Sequence, residues 1–187
     1  TESIGKYYSS ATILFADFVG FTSKVERLEP GELLATLNTF FQGFDKIVRK
    51  YKVRKIKTIG DAYMCVGGIP EKRINHASEV CKVALDMLTF VNASNMQHEV
   101  LGKERWELRI GIHSGALIAG MSGNSFDIWG DAVNIAARLE SSSDPGKIHI
   151  SEKTRDYLEG LGQLTPRGKI TLKDKGNWST FFLETLN

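Results

Sequence analysis

Apolar and polar positions alternate with period two along residues 10–19, with Ile13, Phe15 and Asp17 on one face and Thr12, Leu14 and Ala16 on the other. That is the pattern of a strand in a covered sheet, and it predicts one there. From Pro30, well placed for a first helical position, the period changes: Leu33, Leu37, Phe40, Phe41, Phe44, Ile47, Val48 and Tyr51 recur at helical spacing. A second helix is predicted from Asn75 as N-cap, with Ala77, Val80, Cys81, Ala84, Leu88 and Val91 on one stripe. Between them, residues 54–59 and 63–66 read as short strands joined by a tight Gly60-Asp61 turn. Residues 106–113 alternate cleanly, and Ser114-Gly115 leads into a further apolar run ending near Met121, which predicts a hairpin. Asp131 is a good N-cap for a helix over 132–140, Ser151 for another short helix, and residues 168–183 give two strands around Lys173-Asp174-Lys175-Gly176. The order strand, helix, strand, strand, helix, strand predicts an α+β fold: a ferredoxin-like βαββαβ core with a C-terminal extension.

Composition narrows this without redirecting it. A chain of 187 residues, 42% hydrophobic, fits one domain with a substantial core. No apolar run reaches the eighteen or so residues of a membrane span, and Thr1-Glu2-Ser3 lacks the basic and apolar regions of a signal peptide. A soluble, cytoplasmic domain is expected. Without an initiator methionine the chain is expected to be a piece of a longer protein, and any membrane or sensor segment would lie outside it. Cys65 and Cys81 have neither a pairing framework nor metal-type spacing and read as buried thiols. Seven cations crowd residues 46–57, but no aromatics interleave for base stacking. A solvated helix end is the better reading, and no nucleic-acid partner is expected.

The candidate chemistry lies in carboxylates at strand ends. Gly20-Phe21-Thr22 makes a tight departure after the first strand and leaves Asp17 at a rim, where ligand sites are frequent. Asp61 reads either as a turn-former bonding its own backbone or as a functional group at a hairpin tip. In the ferredoxin-like order the first and third strands are central, so Asp17 and Asp61 are placed to converge. Two hard oxygen ligands with open positions suit magnesium or manganese. Asn134 and Arg138 stand one helical turn apart, as an exposed polar face or as an amide and a guanidinium reaching one anion. His113 has no companion at ligand spacing and reads as a sheet-face residue. Walker, dinucleotide-glycine and zinc-helix motifs are absent.

Three longer stretches carry a family resemblance: residues 15–22 (FADFVGFT), 57–64 (KTIGDAYM) and 127–138 (DIWGDAVNIAAR). They resemble the signature motifs of class III nucleotidyl cyclase catalytic domains, in the right order, within a match running from about residue 10 to 184. The resemblance implies cyclisation of ATP to 3′,5′-cyclic AMP with release of pyrophosphate, in sites shared between two chains of a homodimer. Asp17 and Asp61 match the metal-binding aspartates, which would hold two magnesium or manganese ions per active site. The Phe18 backbone carbonyl would add a ligand, with phenylalanine standing where isoleucine is usual. Lys57 and Asp127 match the pair that selects adenine, and Phe15, Ile59 and Ile128 match positions lining the purine pocket. Asn134 and Arg138 match the residues that position the ribose and stabilise charge at the reacting phosphate. Lys175 resembles the lysine that grips the terminal phosphates, with Lys173 close enough to confuse the match. Some relatives place an arginine after His-Ser-Gly where this chain has Ala116, so triphosphate binding would rest more on Lys175. Guanylate cyclase and a non-catalytic cyclase-homology module are the alternative readings; glutamate and cysteine would be expected at positions 57 and 127 of the former.

Overall fold

A computed structural model describes residues 5–187. An eight-stranded sheet carries helices on both faces. The chain runs β1 (Lys6–Phe18), α1 (Phe21–Arg27), α2 (Pro30–Lys50), β2 (Arg54–Ile59), β3 (Ala62–Gly67), α3 (His76–Val100), β4 (Leu108–Ser122), β5 (Ser125–Trp129), α4 (Asp131–Ser141), β6 (Ile148–Ser151), α5 (Glu152–Tyr157), β7 (Gln163–Leu172) and β8 (Gly176–Thr185). The strand order is β2-β3-β1-β4-β6-β8-β7, with β5 paired to β4 outside that path. Its first four strands, β2-β3-β1-β4, are the ferredoxin-like arrangement expected from the element order.

The alternation in β1 separates two cores. Leu14, Ala16 and Phe18 face α2 and α3, packing with Leu37, Phe40, Phe44, Val80 and Met87. Ile13 and Phe15 face the other way, under Ala132 and Ala136 of α4 and against Ile128 of β5. Both helical stripes are core-facing as predicted, and both cysteines are buried free thiols. Asn75 stands at the N-cap of α3 but makes no capping bond with its side chain. Among the described residues no helix is long and apolar enough to cross a membrane.

The predicted hairpin over residues 106–121 does not form. Residues 108–122 form a single strand, not a hairpin turning at Ser114-Gly115. β4 pairs with β1 from Phe18↔Leu108 to Lys6↔Ala119, interrupted only by a bulge between Tyr8 and Ala11. Ser114 is a buried hydrogen-bonding residue, 2.7 Å from Thr12 Oγ1 and 3.0 Å from Thr154 Oγ1. A Cβ on Gly115 would stand 3.1 Å from that of Ala132, so this glycine serves helix packing and not a turn. β6 was not predicted, because its four residues are too few to show a period.

Candidate active site

Two carboxylates meet at one end of the sheet. β1 closes on Asp17-Phe18, and the β2–β3 turn places Gly60 at φ 59°, a left-handed conformation natural to glycine. Beyond the last paired residues, Ala16↔Tyr63, this brings Asp61 beside Asp17 and Phe18. Burial, followed by a hydrogen bond and charge repulsion from Asp17, pushes the Asp61 carboxyl up to about 7. Asp17 Oδ1 is buried with no hydrogen-bond partner. A divalent cation would satisfy the orphaned oxygen and remove the repulsion that keeps the pair from ionising together. The described residues hold no cage of three or more acidic, histidine or cysteine side chains. The pair therefore fits an ion that completes its shell with substrate phosphates and water, which suits magnesium or manganese. The Phe18 ring lies in an aromatic cluster, 5.0 Å from Phe40 and 5.1 Å from Trp106 between centroids, so the larger residue is absorbed by the core.

A second group lies under α4. Lys57 of β2 donates to Asp127 Oδ2 of β5 at 2.7 Å, and Asp127 Oδ1 accepts the Ile128 backbone N–H at 2.8 Å. Both carboxylate oxygens are thus engaged and the side chain is fixed. Phe15 and Ile128 are buried in one apolar cluster beside this pair, whereas Ile59 is 55% exposed next to the Gly60-Asp61 turn. The structure joins two of the three expected apolar lining positions and sets the third at the hairpin tip.

α4 buries Ala132, Ile135, Ala136, Leu139 and Glu140. It lies close on β4 because residue 111 is glycine: a Cβ there would be 2.1 Å from the Glu140 backbone nitrogen. Asn134 points to solvent, and Arg138 Nη2 lies 3.9 Å from Asp174 Oδ2 in the β7–β8 turn. The same turn brings Lys175 into an ion pair with Asp131, while Lys173 is exposed. Asp131 is not the N-cap expected of it; Gly130 holds that position and Asp131 opens the helix. One face therefore gathers an amide, a guanidinium and an ammonium, suited to an anion.

Residues 5–185 match the family model described as the adenylate and guanylate cyclase catalytic domain. The chain belongs to that family. Receptor-type guanylate cyclase gcy-28 of Caenorhabditis elegans is 40% identical over 181 residues, 94% of this chain but 14% of its own length. The guanylate cyclase domain of RhGC from Catenaria anguillulae, solved in complex with GTP, is 33% identical with a TM-score of 0.89, covering 97% of this chain and 100% of that one. The adenylyl cyclase CyaB from P. aeruginosa is 26% identical with a TM-score of 0.93, covering 99% and 98%.

Sequence reasoning missed two charged residues of this cyclase domain. Arg109 is the direct β4 partner of Asp17, and its guanidinium lies between Asp17 and the buried Glu140. No spacing rule links positions 17, 109 and 140; only the β1–β4 register and the descent of α4 onto Gly111 join them. His113 is a sheet-face residue as expected, with Nδ1 2.7 Å from Ser151 Oγ, and burial drives its imidazole down to about 4.

Proposed function

We propose that this cyclase domain converts ATP to 3′,5′-cyclic AMP and pyrophosphate, in composite sites of a homodimer. The observation that carries the choice of ATP is the Lys57–Asp127 pair. A lysine can donate only and an aspartate carboxylate can accept only, so together they complement adenine N1 and its exocyclic amine. Guanine presents an acceptor and a donor in the reverse order, and a site whose polar groups are left unpaired rejects the wrong base strongly. Phe15 and Ile128 supply the apolar wall beside them.

Two magnesium or manganese ions held by Asp17, Asp61 and the Phe18 carbonyl would activate the ribose 3′-hydroxyl and neutralise the triphosphate. The chain's own groups do the rest. Asn134 orients the ribose so that its 3′-oxygen faces the α-phosphorus in line with the departing pyrophosphate. Arg138 stabilises charge on the α-phosphate oxygens as the new P–O bond forms, and Lys175 holds the terminal phosphates as they leave. Each already has an acidic neighbour, Asp174 for Arg138 and Asp131 for Lys175, that a triphosphate would displace. In the dimer Asp17 and Asp61 come from one chain, and Lys57, Asp127, Asn134, Arg138 and Lys175 from the other. The chain spans about a seventh of gcy-28, and we place it as the cytoplasmic catalytic part of a longer signalling protein.

Conversion of GTP is the second reading, favoured by the names of relatives such as gcy-28. Purified protein given Mn2+ and ATP should form cyclic AMP, and Asp17→Ala and Asp61→Ala should each remove the activity while leaving the folded circular-dichroism spectrum. Wild-type turnover in both variants would overturn the metal-site reading.

A further inference from the structure

Behind the two aspartates lies a set of charges that the reaction scheme leaves unused. Arg109 faces Asp17 directly across β1 and β4, with Nη2 3.9 Å from Asp17 Oδ2. On its other side Nε is 3.4 Å from Glu140 Oε2. The Glu140 side chain is only 8% exposed, a costly position for a carboxylate, and it is held there by the close seat of α4 on Gly111. Neither contact is a well-formed hydrogen bond. Asp17 Oδ1, Arg109 Nε and Glu140 Oε2 are each buried without a hydrogen-bond partner. The guanidinium is thus shared between two carboxylates, too far from one and misaligned with the other. Buried charges are ordinarily paired, and here the nearly buried Glu140 carboxylate and the part-buried Arg109 and Asp17 leave three atoms able to take a better-aligned partner.

We propose that Arg109 is the resident counter-cation of Asp17, and that Glu140 is a positioning residue which takes Arg109 over when a divalent ion binds. This rests on the reading of Asp17 as a metal ligand. Without metal, Arg109 partly neutralises the Asp17–Asp61 pair. A divalent ion at Asp17 repels the guanidinium, which turns the short distance to Glu140 and forms an aligned, charge-assisted pair. Asp17 is released to the metal and no buried charge is left alone. Glu140 therefore acts on the metal through Arg109, and the two residues should have opposite effects on metal affinity.

Mn2+ binding followed by electron paramagnetic resonance tests this on the whole chain, with 3′-deoxy-ATP present because it lacks the attacking hydroxyl. Glu140→Gln should raise the Mn2+ dissociation constant about tenfold, at the lower end of what outer partners of metal ligands supply. Arg109→Gln removes the competing cation and should lower it several-fold. The double variant should behave like Arg109→Gln; a further loss on adding Glu140→Gln would instead report the direct interaction of Glu140 with Asp17. Shifts of the same sign in the two single variants, an unchanged Glu140→Gln, or additive shifts in the double variant would overturn the proposal.

A second measurement needs no folding-sensitive variant. In wild-type protein with Mg2+ and 3′-deoxy-ATP, the Arg109 Nε–H nuclear magnetic resonance signal should become protected from solvent exchange; exchange unaltered by Mg2+ would refute the handover. Asp17→Ala separates the two levels of inference. Mn2+ binding at wild-type strength in that variant refutes the metal assignment itself, whereas loss of binding there with no change in Glu140→Gln refutes only the role of Glu140.

Discussion

Gly111→Ala tests whether the seat of α4 on β4 sets the geometry of the site. The added methyl carbon would stand 2.1 Å from the Glu140 nitrogen and 2.7 Å from both the Glu140 Cα and the Ala136 carbonyl oxygen, whereas ordinary contact begins at 3.4 Å. All three atoms are backbone, so no rotamer change relieves the clash, and the last turn of α4 must retreat by about 1.3 Å, the difference between 3.4 and 2.1 Å. Overpacking of this kind costs roughly 1–3 kcal/mol. In a domain of this size that lowers Tm by about 2–4 °C per kcal/mol, or about 2–12 °C in all. The functional loss should be larger, because Arg138 and Glu140 ride on the displaced turn and a shift of about 1 Å in a reacting geometry costs on the order of a hundredfold in rate. Differential scanning calorimetry gives the first quantity and cyclic-nucleotide formation the second. A variant with lowered Tm and wild-type kcat would show that α4 does not position the reacting groups. A variant unchanged in both would refute the close approach.

The other predictions concern protons, subunits and acid stability. Because the Asp61 carboxyl is raised to about 7, protons compete with metal below that value; the apparent Mn2+ dissociation constant should fall about tenfold per pH unit from pH 5 to 7 and level off above, and a flat profile would contradict the shared-carboxyl geometry. Mixing Asp17→Ala with Arg138→Ala homodimers under free exchange makes half the dimers mixed, each with one intact site, so activity should recover to about a quarter of wild type; a mixture as inactive as its parts, after exchange is shown with labelled subunits, would refute the composite site. His113 and His149 are buried and lowered to about 4. An unfolded histidine titrates near 6.5, so the stability from keeping both neutral is fully present above that pH and lost as pH falls toward 4. Tm should drop by several degrees from pH 7 to pH 5, and His113→Gln with His149→Gln should flatten the profile; an equal drop in the double variant would place the acid sensitivity elsewhere.

Positions whose role is local were legible in the sequence. The alternation of Ile13 and Phe15 against Leu14 and Ala16 placed β1 between two cores, and the run to Ile59 with Gly60-Asp61 located the β2–β3 hairpin at its turn. What the chain did not reveal was set by contacts distant in sequence. Ser114-Gly115 reads as a turn because serine and glycine favour turns, yet Thr12, Thr154 and Ala132 convert it to the middle of a long strand. Lys175 and Lys173 are equivalent in a local motif, and only the fold shows that Lys175 pairs with Asp131 while Lys173 is exposed. Arg109 and Glu140 were invisible for the same reason: one reads as an ordinary outward residue of an alternating strand, the other as the last acidic residue of an amphipathic helix, until the fold sets the Arg109 guanidinium between Glu140 and Asp17.

The ratio of kcat/KM for GTP to that for ATP measures base selection by Lys57 and Asp127 directly. Wild-type protein should favour ATP. Lys57→Glu with Asp127→Cys, which replaces a donor–acceptor pair by an acceptor and a weak donor, should lower ATP turnover and raise the ratio by at least an order of magnitude. A wild-type preference for GTP, or a ratio that the folded double variant leaves unchanged, would contradict it.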